Sequence, residues 1–260
     1  MTPDAFFVSE DDDHWQPTQH AVGPWSPEHL HGGPVAALIA RAVERLPTER
    51  PRRLVRLHLD FLRPVPLARL HSHAAIEHSG RSVERVVVHL EADGQRLCVA
   101  RALRNRTEAL AVPDTPGPPP DRPPQKSEPA RLPVDLPWSG YHTAMRLRVA
   151  RGTVGAGPVQ VWMQPKVALV AGETASPVQR ALIAADAASG VSAILDWRAW
   201  RFLNGDLDVV FTRPPRGDWV CLDAVTELAR DGLGTCSSVL RDADGPFGRS
   251  TQALVVQRPR

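Results

Sequence analysis

Residues Gly32–Leu46 read GGPVAALIARAVERL, and a similar segment, ASPVQRALIAADAAS, spans Ala175–Ser189. Each contains a Pro-Val pair near its start and shares the core ALIA, with apolar residues at helical spacing. Proline just inside a helix start sacrifices no hydrogen bond, and Ser176 before Pro177 is typical of an N-cap. The sequence therefore predicts two related helices, one in each half of the chain.

Each predicted helix is followed by four β-rich runs, and the residue pairs that separate these runs recur in the same order in both halves. The Arg-Pro pair at 63–64 recurs at 213–214, and the Asp-Gly pair at 93–94 recurs at 244–245. Asp-Gly pairs between such runs are typical of hairpins joining antiparallel strands. A helix followed by an antiparallel meander is an α+β unit, in which a curved sheet covers the apolar helix. The matches predict that the chain carries this unit twice.

A proline-rich segment separates the two predicted units. Residues Ala111–Pro137 carry ten of the 26 prolines. Proline removes backbone donors and favours extended conformations, so this segment is predicted to be a connector without secondary structure. The predicted organisation is a first domain at 1–110, a linker at 111–137 and a second domain at 138–260.

Composition excludes several classes of protein. The apolar fraction of 42% is enough for real cores, and 31 basic against 29 acidic residues leave a net charge of +2. This balance gives no reason to expect a nucleic-acid or membrane partner. No apolar run approaches the ~20 residues of a membrane span, and the first residues lack a secretory signal pattern. We expect a cytoplasmic protein.

The cysteines and histidines show no metal-binding spacing. Cys98, Cys221 and Cys236 have no paired spacing and are predicted to pack as reduced, small hydrophobic residues. The histidine pairs at 29/31 and 71/73 lack an evident third ligand. We therefore expect neither a metal nor another cofactor.

Four stretches of the chain resemble the acyl-CoA thioesterase II group and its actinobacterial thioesterase-like relatives: Gly23–Arg45, Gly172–Gly190, Asn204–Thr226 and Gly248–Val256. The resemblance covers nearly the whole chain outside the proline-rich segment. It implies a double hotdog, with two antiparallel sheets that each wrap around a central helix. It also implies hydrolysis of an acyl-CoA or acyl-carrier thioester without a cofactor, by a homo-oligomer that is expected to be a dimer.

The resemblance also assigns catalytic residues. In that group an aspartate near a strand start acts with a threonine or serine and a glutamine. Asp206, seven residues before Arg213, matches the aspartate; Thr226 matches the hydroxyl residue to within one place, and Gln252 matches the glutamine one position early. Asp206 would then be the base that activates water, or a nucleophile, and the other two would hold the water.

The start of the first helix is the predicted substrate-binding position. Unpaired backbone N–H groups and the helix dipole favour an oxyanion there. Gly32 and Gly33 would let a thioester approach the backbone, and His31 would add a polar contact. Close packing of the helix explains the two glycines equally well.

Several alternatives stay open at the level of sequence. Asp206 follows Asn204 and Gly205 and could simply belong to a turn. Asp186 is either a buried acid of the core or a site residue. Trp15, Trp25, Trp197 and Trp200 line an acyl pocket or fill the core. The first half has Arg56 and Arg101 where the second has Asp206 and Gln252, which predicts one active site per chain.

Two other functions compete with hydrolysis. Hotdog dehydratases and hydratases use a histidine with an acid at a helix end, which would give His31 the central role. A non-catalytic module that binds acyl groups is the third alternative.

Overall fold

The computed structural model describes residues 4–113, 115 and 117–259. The helices are α1 Gly32–Arg45, α2 Tyr141–Ala144, α3 Pro177–Ala185 and α4 Ala188–Val191, with 3-10 turns at Gln19–Ala21 and Pro124–Lys126. The strands of the first half are β1 Ala5–Ser9, β2 His14–Pro17, β3 Arg52–Phe61, β4 Leu70–Ser79, β5 Val83–Ala92 and β6 Gln95–Arg106. Those that follow are β7 Glu128–Ala130, β8 Met145–Arg151, β9 Val159–Pro165, β10 Ala168–Val170, β11 Arg201–Asn204, β12 Asp206–Phe211, β13 Val220–Leu228, β14 Leu233–Asp242 and β15 Gly245–Gln257.

The strand order confirms an internal repeat. In the first half the neighbours run β3-β6-β5-β4, and in the second half β12-β15-β14-β13, so equivalent strands occupy equivalent places. Each half places its helix before these four strands, as the recurring residue pairs predict.

The two halves share one continuous sheet. Strands β3 and β12 pair antiparallel, with Leu57 opposite Val209, and this pairing joins the two sets of strands. The expectation of two separate antiparallel sheets is therefore wrong in detail, because the first strand of each unit pairs with its counterpart. A parallel pair, β1 with β10, is a second departure from it. The outermost strands, β10 and β7, are three residues long, so they offer little unpaired backbone to another chain.

Helices α1 and α3 form the centre of the core. Both helices contact strands of the sheet, and their apolar faces are buried, with Leu38, Ile39, Leu182 and Ile183 fully buried. Ser176 caps α3 as predicted: its Oγ accepts from the Gln179 N–H at 3.1 Å. The sheet supplies the cover that the ALIA segments need.

The hairpin predictions are confirmed. Asp93 and Gly94, between β5 and β6, have φ angles of 49° and 73°. Both angles are positive, as a tight two-residue hairpin turn requires. The matching turn between β14 and β15 has Gly245 at φ 115°.

The proline-rich segment is more ordered than the sequence predicts. Strand β7 lies inside it and pairs with β8. The Asp121 N–H donates to Gln160 Oε1 at 2.9 Å, and Trp162 Nε1 donates to the Arg122 carbonyl at 2.8 Å. The prediction of a connector without secondary structure is wrong here, because side chains of the second half supply hydrogen-bond partners for its backbone. The domain boundaries stay a prediction.

No helix among the residues described is long and apolar enough to span a membrane.

Close contact between α1 and α3 predicts a stability effect. A Cβ added at Gly33 would lie 2.3 Å from the Ile183 carbonyl oxygen, a backbone atom that cannot move without shifting α3. We expect Gly33→Ala to destabilise the fold by about 1–3 kcal/mol, the usual cost of overpacking. Gly205→Ala is the control, because its Cβ would meet only the Ala253 carbonyl oxygen at 3.6 Å. Urea unfolding measures both; equal losses would contradict the packing argument.

Candidate active site

A cavity of about 830 Å³ lies between the two halves of the chain. The first half contributes the segment before α1, which includes Trp25 and His31, and the end of β3 with the loop after it. The second half contributes the residues that follow α3 and the residues around β11. Both halves are therefore needed to build the cavity.

Asp186 is the acid of this cavity. It follows the last residue of α3 and is only 4% exposed. Asn204 Nδ2 donates to its Oδ1 at 2.8 Å, and Gln252 Nε2 donates to its backbone oxygen at 3.0 Å and approaches Oδ1 at 3.4 Å. Two side-chain amides thus fix the carboxylate, and its Oδ2 is left for other contacts.

Ser189 orients both amides. Its backbone N–H donates to Gln252 Oε1 at 3.2 Å, and its Oγ donates to Asn204 Oδ1 at 3.0 Å. Because each amide oxygen is occupied in this way, each amide nitrogen is directed towards Asp186.

His31 faces the second oxygen of Asp186. Its Nδ1 lies 3.1 Å from Asp186 Oδ2 and 3.0 Å from the Gly33 nitrogen. This nitrogen therefore either donates to the carboxylate or accepts from the helix, depending on the tautomer. The ring stacks on Tyr141 with 3.6 Å between centroids. Burial lowers the pKa of His31, and the charge of Asp186 offsets part of that effect.

Gly32 and Gly33 at the start of α1 are each required to be glycine by a different contact. A Cβ at Gly32 would lie 2.7 Å from both Asp186 Oδ2 and Phe61 Cζ, so only glycine leaves room beside the carboxylate. Gly32 also lines the cavity, whereas Gly33 packs against α3. The Gly32 N–H has no hydrogen-bond partner among the residues described here. It is a free donor at a helix start, where the dipole favours negative charge.

Aromatic side chains form one wall of the cavity. Trp25 and Trp197 stack with centroids 4.8 Å apart, and Phe202 meets both rings edge-on. Two of the four tryptophans considered for an acyl pocket therefore line the cavity. Trp15 is instead buried in the core, where the guanidinium of Arg41 stacks on its ring.

Asp206 does not reach the cavity. It opens β12, and its Oδ1 accepts from the Ala253 N–H of β15 at 2.6 Å. Asn204, two residues earlier, is the residue that reaches Asp186. Gly205 separates β11 from β12, and beyond it the Asp206 carboxylate serves the backbone of the sheet. The structure therefore does not bring Asp206 together with His31 and Gly32.

Thr226 is also separated from the cavity. Its Oγ1 lies 2.7 Å from Ser192 Oγ in the buried interior of the second half. Gln252, which matches the family glutamine one position early, is the member of the predicted trio that contacts Asp186.

The cysteines are confirmed as free and buried. Burial raises the pKa of Cys98 to about 12 and raises the pKa values of Cys221 and Cys236. A thiolate nucleophile is therefore not available at neutral pH.

Sequence reasoning missed Asn204 as a site residue and left Asp186 undecided. Asn204 looked like a turn former beside Gly205. Asp186 directly follows the second ALIA helix and lies opposite Gly32 at the start of α1. That position indicates a site residue, but it becomes visible only when α1 packs on α3.

Two models of known protein families match most of the chain. Residues 113–256 match the acyl-CoA thioesterase C-terminal domain, and residues 21–106 match the acyl-CoA thioesterase N-terminal domain.

The chain belongs to the acyl-CoA thioesterase family.

Solved structures similar to this thioesterase-family chain share its fold. A hot dog fold protein of unknown function from Alicyclobacillus acidocaldarius is 19% identical, with a TM-score of 0.77 over 99% of this chain and 98% of the other. The acyl-CoA thioesterase II TesB2 from Mycobacterium marinum is 14% identical, with a TM-score of 0.67 over 98% and 96%. The tesB protein from Mycobacterium avium is 16% identical, with a TM-score of 0.66 over 96% and 95%. No curated protein sequence matches the chain.

In this thioesterase-family chain two pairs of helix ends meet. The end of α3 meets the start of α1 at Asp186, and the second pair has different side chains. The start of α3 faces the end of α1, where Ser176 Oγ and Gln179 Nε2 donate to Glu44 at 2.9 and 2.7 Å. Burial raises the pKa of Glu44, which these two hydrogen bonds partly oppose.

In the first half, Arg104 of β6 contacts the end of α1. Its guanidinium donates to the Leu46 carbonyl at 2.8 Å, just as Gln252 donates to the carbonyl at the end of α3. Arg101, which sequence counting matched to Gln252, is exposed on β6. That match is one residue early: Arg101 opposes His58 on β3 as Thr251 opposes Asp208 on β12, so the strand registers place Ala102 at the position of Gln252. Arg56 forms an ion pair with Asp208.

Proposed function

We propose that the protein hydrolyses an acyl thioester, with Asp186 as the group that activates water. The observation that carries this proposal is the buried carboxylate beside a free helix-start N–H in a cavity built by both halves. Membership of the acyl-CoA thioesterase family supports coenzyme A or an acyl carrier as the thiol partner. The halves would then be two fused hotdog units that share one reactive cleft.

The contacts suggest a division of labour. Asn204 and Gln252 hold Oδ1 of Asp186, so Oδ2 accepts the proton of a water that attacks the carbonyl carbon. A positioned general base of this kind contributes about 10²–10⁴ in rate. The Gly32 N–H donates a hydrogen bond to the oxyanion of the tetrahedral intermediate. When this intermediate collapses, the carbon–sulfur bond breaks and the leaving thiolate takes the proton back from Asp186.

His31 acts beside this carboxylate. Its Nδ1 contact with Oδ2 favours the orientation in which Oδ2 faces the cavity. Because burial lowers its pKa, His31 stays neutral at neutral pH and leaves the charge of Asp186 uncompensated by a cation. In this proposal Asp206 and Thr226 have structural roles only.

A dehydratase or hydratase is the second candidate function. The observation that favours it is the 3.1 Å contact between His31 Nδ1 and Asp186 Oδ2, since a histidine with an acid can move a proton at the α-carbon of an acyl group. In that case His31 Nε2 would be the reacting atom.

A panel of acyl-CoA thioesters, including 3-hydroxyacyl-CoA, separates the functions. We expect free thiol to appear continuously, as measured with a thiol reagent. Formation of an enoyl thioester from 3-hydroxyacyl-CoA without thiol release would replace hydrolysis by dehydration. Binding with neither product would indicate a non-catalytic module.

A further inference from the structure

Three arginines line the same cavity apart from the Asp186 group. Arg63 follows β3 on the first-half wall, and Arg201 and Arg258 lie on the second-half wall. We refer to Arg63, Arg201 and Arg258 as the arginine rim. None of the three forms an ion pair with a carboxylate in the described part of the chain. Other arginines of the sheet do, as Arg56 does with Asp208.

The arginine rim is built into the sheet. Arg201 of β11 pairs with Gln257 of β15, so Arg258 emerges beside it. The guanidinium of Arg258 lies over the Trp200 ring, 4.1 Å from its centroid, which steadies the side chain. Arg63 is exposed on the opposite wall. The rim therefore presents positive charge to the cavity from both halves.

The charge of the lining is one-sided. Asp186 is the only carboxylate among the described residues that line the cavity, and its oxygens are engaged by Asn204 and His31. Guanidinium groups stay charged at all relevant pH values and match oxyanions with paired N–H donors. Unpaired cations around a concave site raise the local concentration of anionic ligands.

We infer that the arginine rim binds an anionic group that the substrate carries away from its reacting carbonyl. This inference rests on the proposed function, because the cavity must accept the thioester whose remote part the rim holds. The anion is either a phosphate of the carrier arm or a carboxylate at the far end of the acyl group. In both cases the rim contributes to binding and leaves the chemical step at Asp186 unchanged.

The test compares the wild type with the triple variant Arg63→Gln, Arg201→Gln, Arg258→Gln. The substrates carry one neutral acyl group on coenzyme A and on pantetheine, which lacks phosphate, and a dicarboxylic acyl group on pantetheine. Arg230→Gln is the matched control, because Arg230 is exposed and does not line the cavity. Binding of the corresponding non-hydrolysable thioethers, read from tryptophan fluorescence, is measured in parallel with turnover.

We expect the triple variant to raise KM and Kd about 10–30-fold for the anionic ligand, at about threefold per exposed arginine, with kcat unchanged. The effect should shrink at high salt. Loss confined to the coenzyme A ligand identifies phosphate, and loss confined to the dicarboxylic ligand identifies carboxylate. Equal loss for the neutral pantetheine ligand, or no loss of binding for any ligand, overturns the inference. If the triple variant binds the anionic ligand more weakly than the wild type but neither protein releases thiol, the proposed hydrolysis is contradicted and the inference about the arginine rim stands.

Discussion

Asp186→Asn is expected to lower kcat for thioester hydrolysis by about 10²–10⁴, the contribution of a positioned general base. The carboxamide keeps the size of the side chain and can still accept from Asn204, so the site should keep its shape. It cannot accept a proton from water. Steady-state thiol release from an acyl-CoA, with circular dichroism to verify folding, measures the effect.

Asp206→Asn is the matched control for this experiment. Asparagine preserves an oxygen that accepts from the Ala253 N–H, so activity and stability should stay close to the wild type. Strong loss of activity in Asp206→Asn together with an active Asp186→Asn would return the catalytic role to the start of β12.

Glu84→Ala is expected to cost about 3–5 kcal/mol of the free energy of unfolding, because it leaves a buried cation without its partner. Glu84 and Arg104 are 2% and 4% exposed and form an ion pair, with Arg104 Nε and Glu84 Oε2 2.6 Å apart. The same guanidinium donates to the Val43 and Leu46 carbonyls at the end of α1. Loss of the pair would therefore also loosen the helix end.

Glu108→Ala tests whether burial causes this effect. Glu108 pairs with Arg106 at 2.6 Å, but their side chains are 49% and 33% exposed. Exposed pairs contribute about 0–1 kcal/mol, so this variant should unfold almost like the wild type. Guanidinium unfolding of both variants gives the comparison, and similar losses would argue against a special role for the buried pair.

Local patterns predicted most of the fold. The ALIA helices, the Ser176 cap and the Asp-Gly hairpins depend on neighbours in sequence, and each is confirmed. The continuous sheet depends on pairing of β3 with β12, which are far apart in the chain, and no local signal reports it. The strand at 128–130 was missed because the surrounding prolines dominate the composition.

The site was predicted in part, and the reason is geometric. His31, Gly32 and Gln252 were named from sequence and lie around one carboxylate. The sequence analysis placed the acid at Asp206 by aligning strands, whereas the acid that we propose, Asp186, reaches the cavity where the end of α3 meets the start of α1. Counting along a strand cannot reveal that contact.

A crystal structure with a non-hydrolysable thioether analogue of an acyl-CoA tests the central claim most directly. The account predicts that the carbon replacing the carbonyl lies in the cavity beside Gly32, with room for a water between it and Asp186 Oδ2 at near-attack distances of about 3–3.5 Å. An analogue bound with that carbon beside Asp206, or outside the cavity between the two halves, would contradict it.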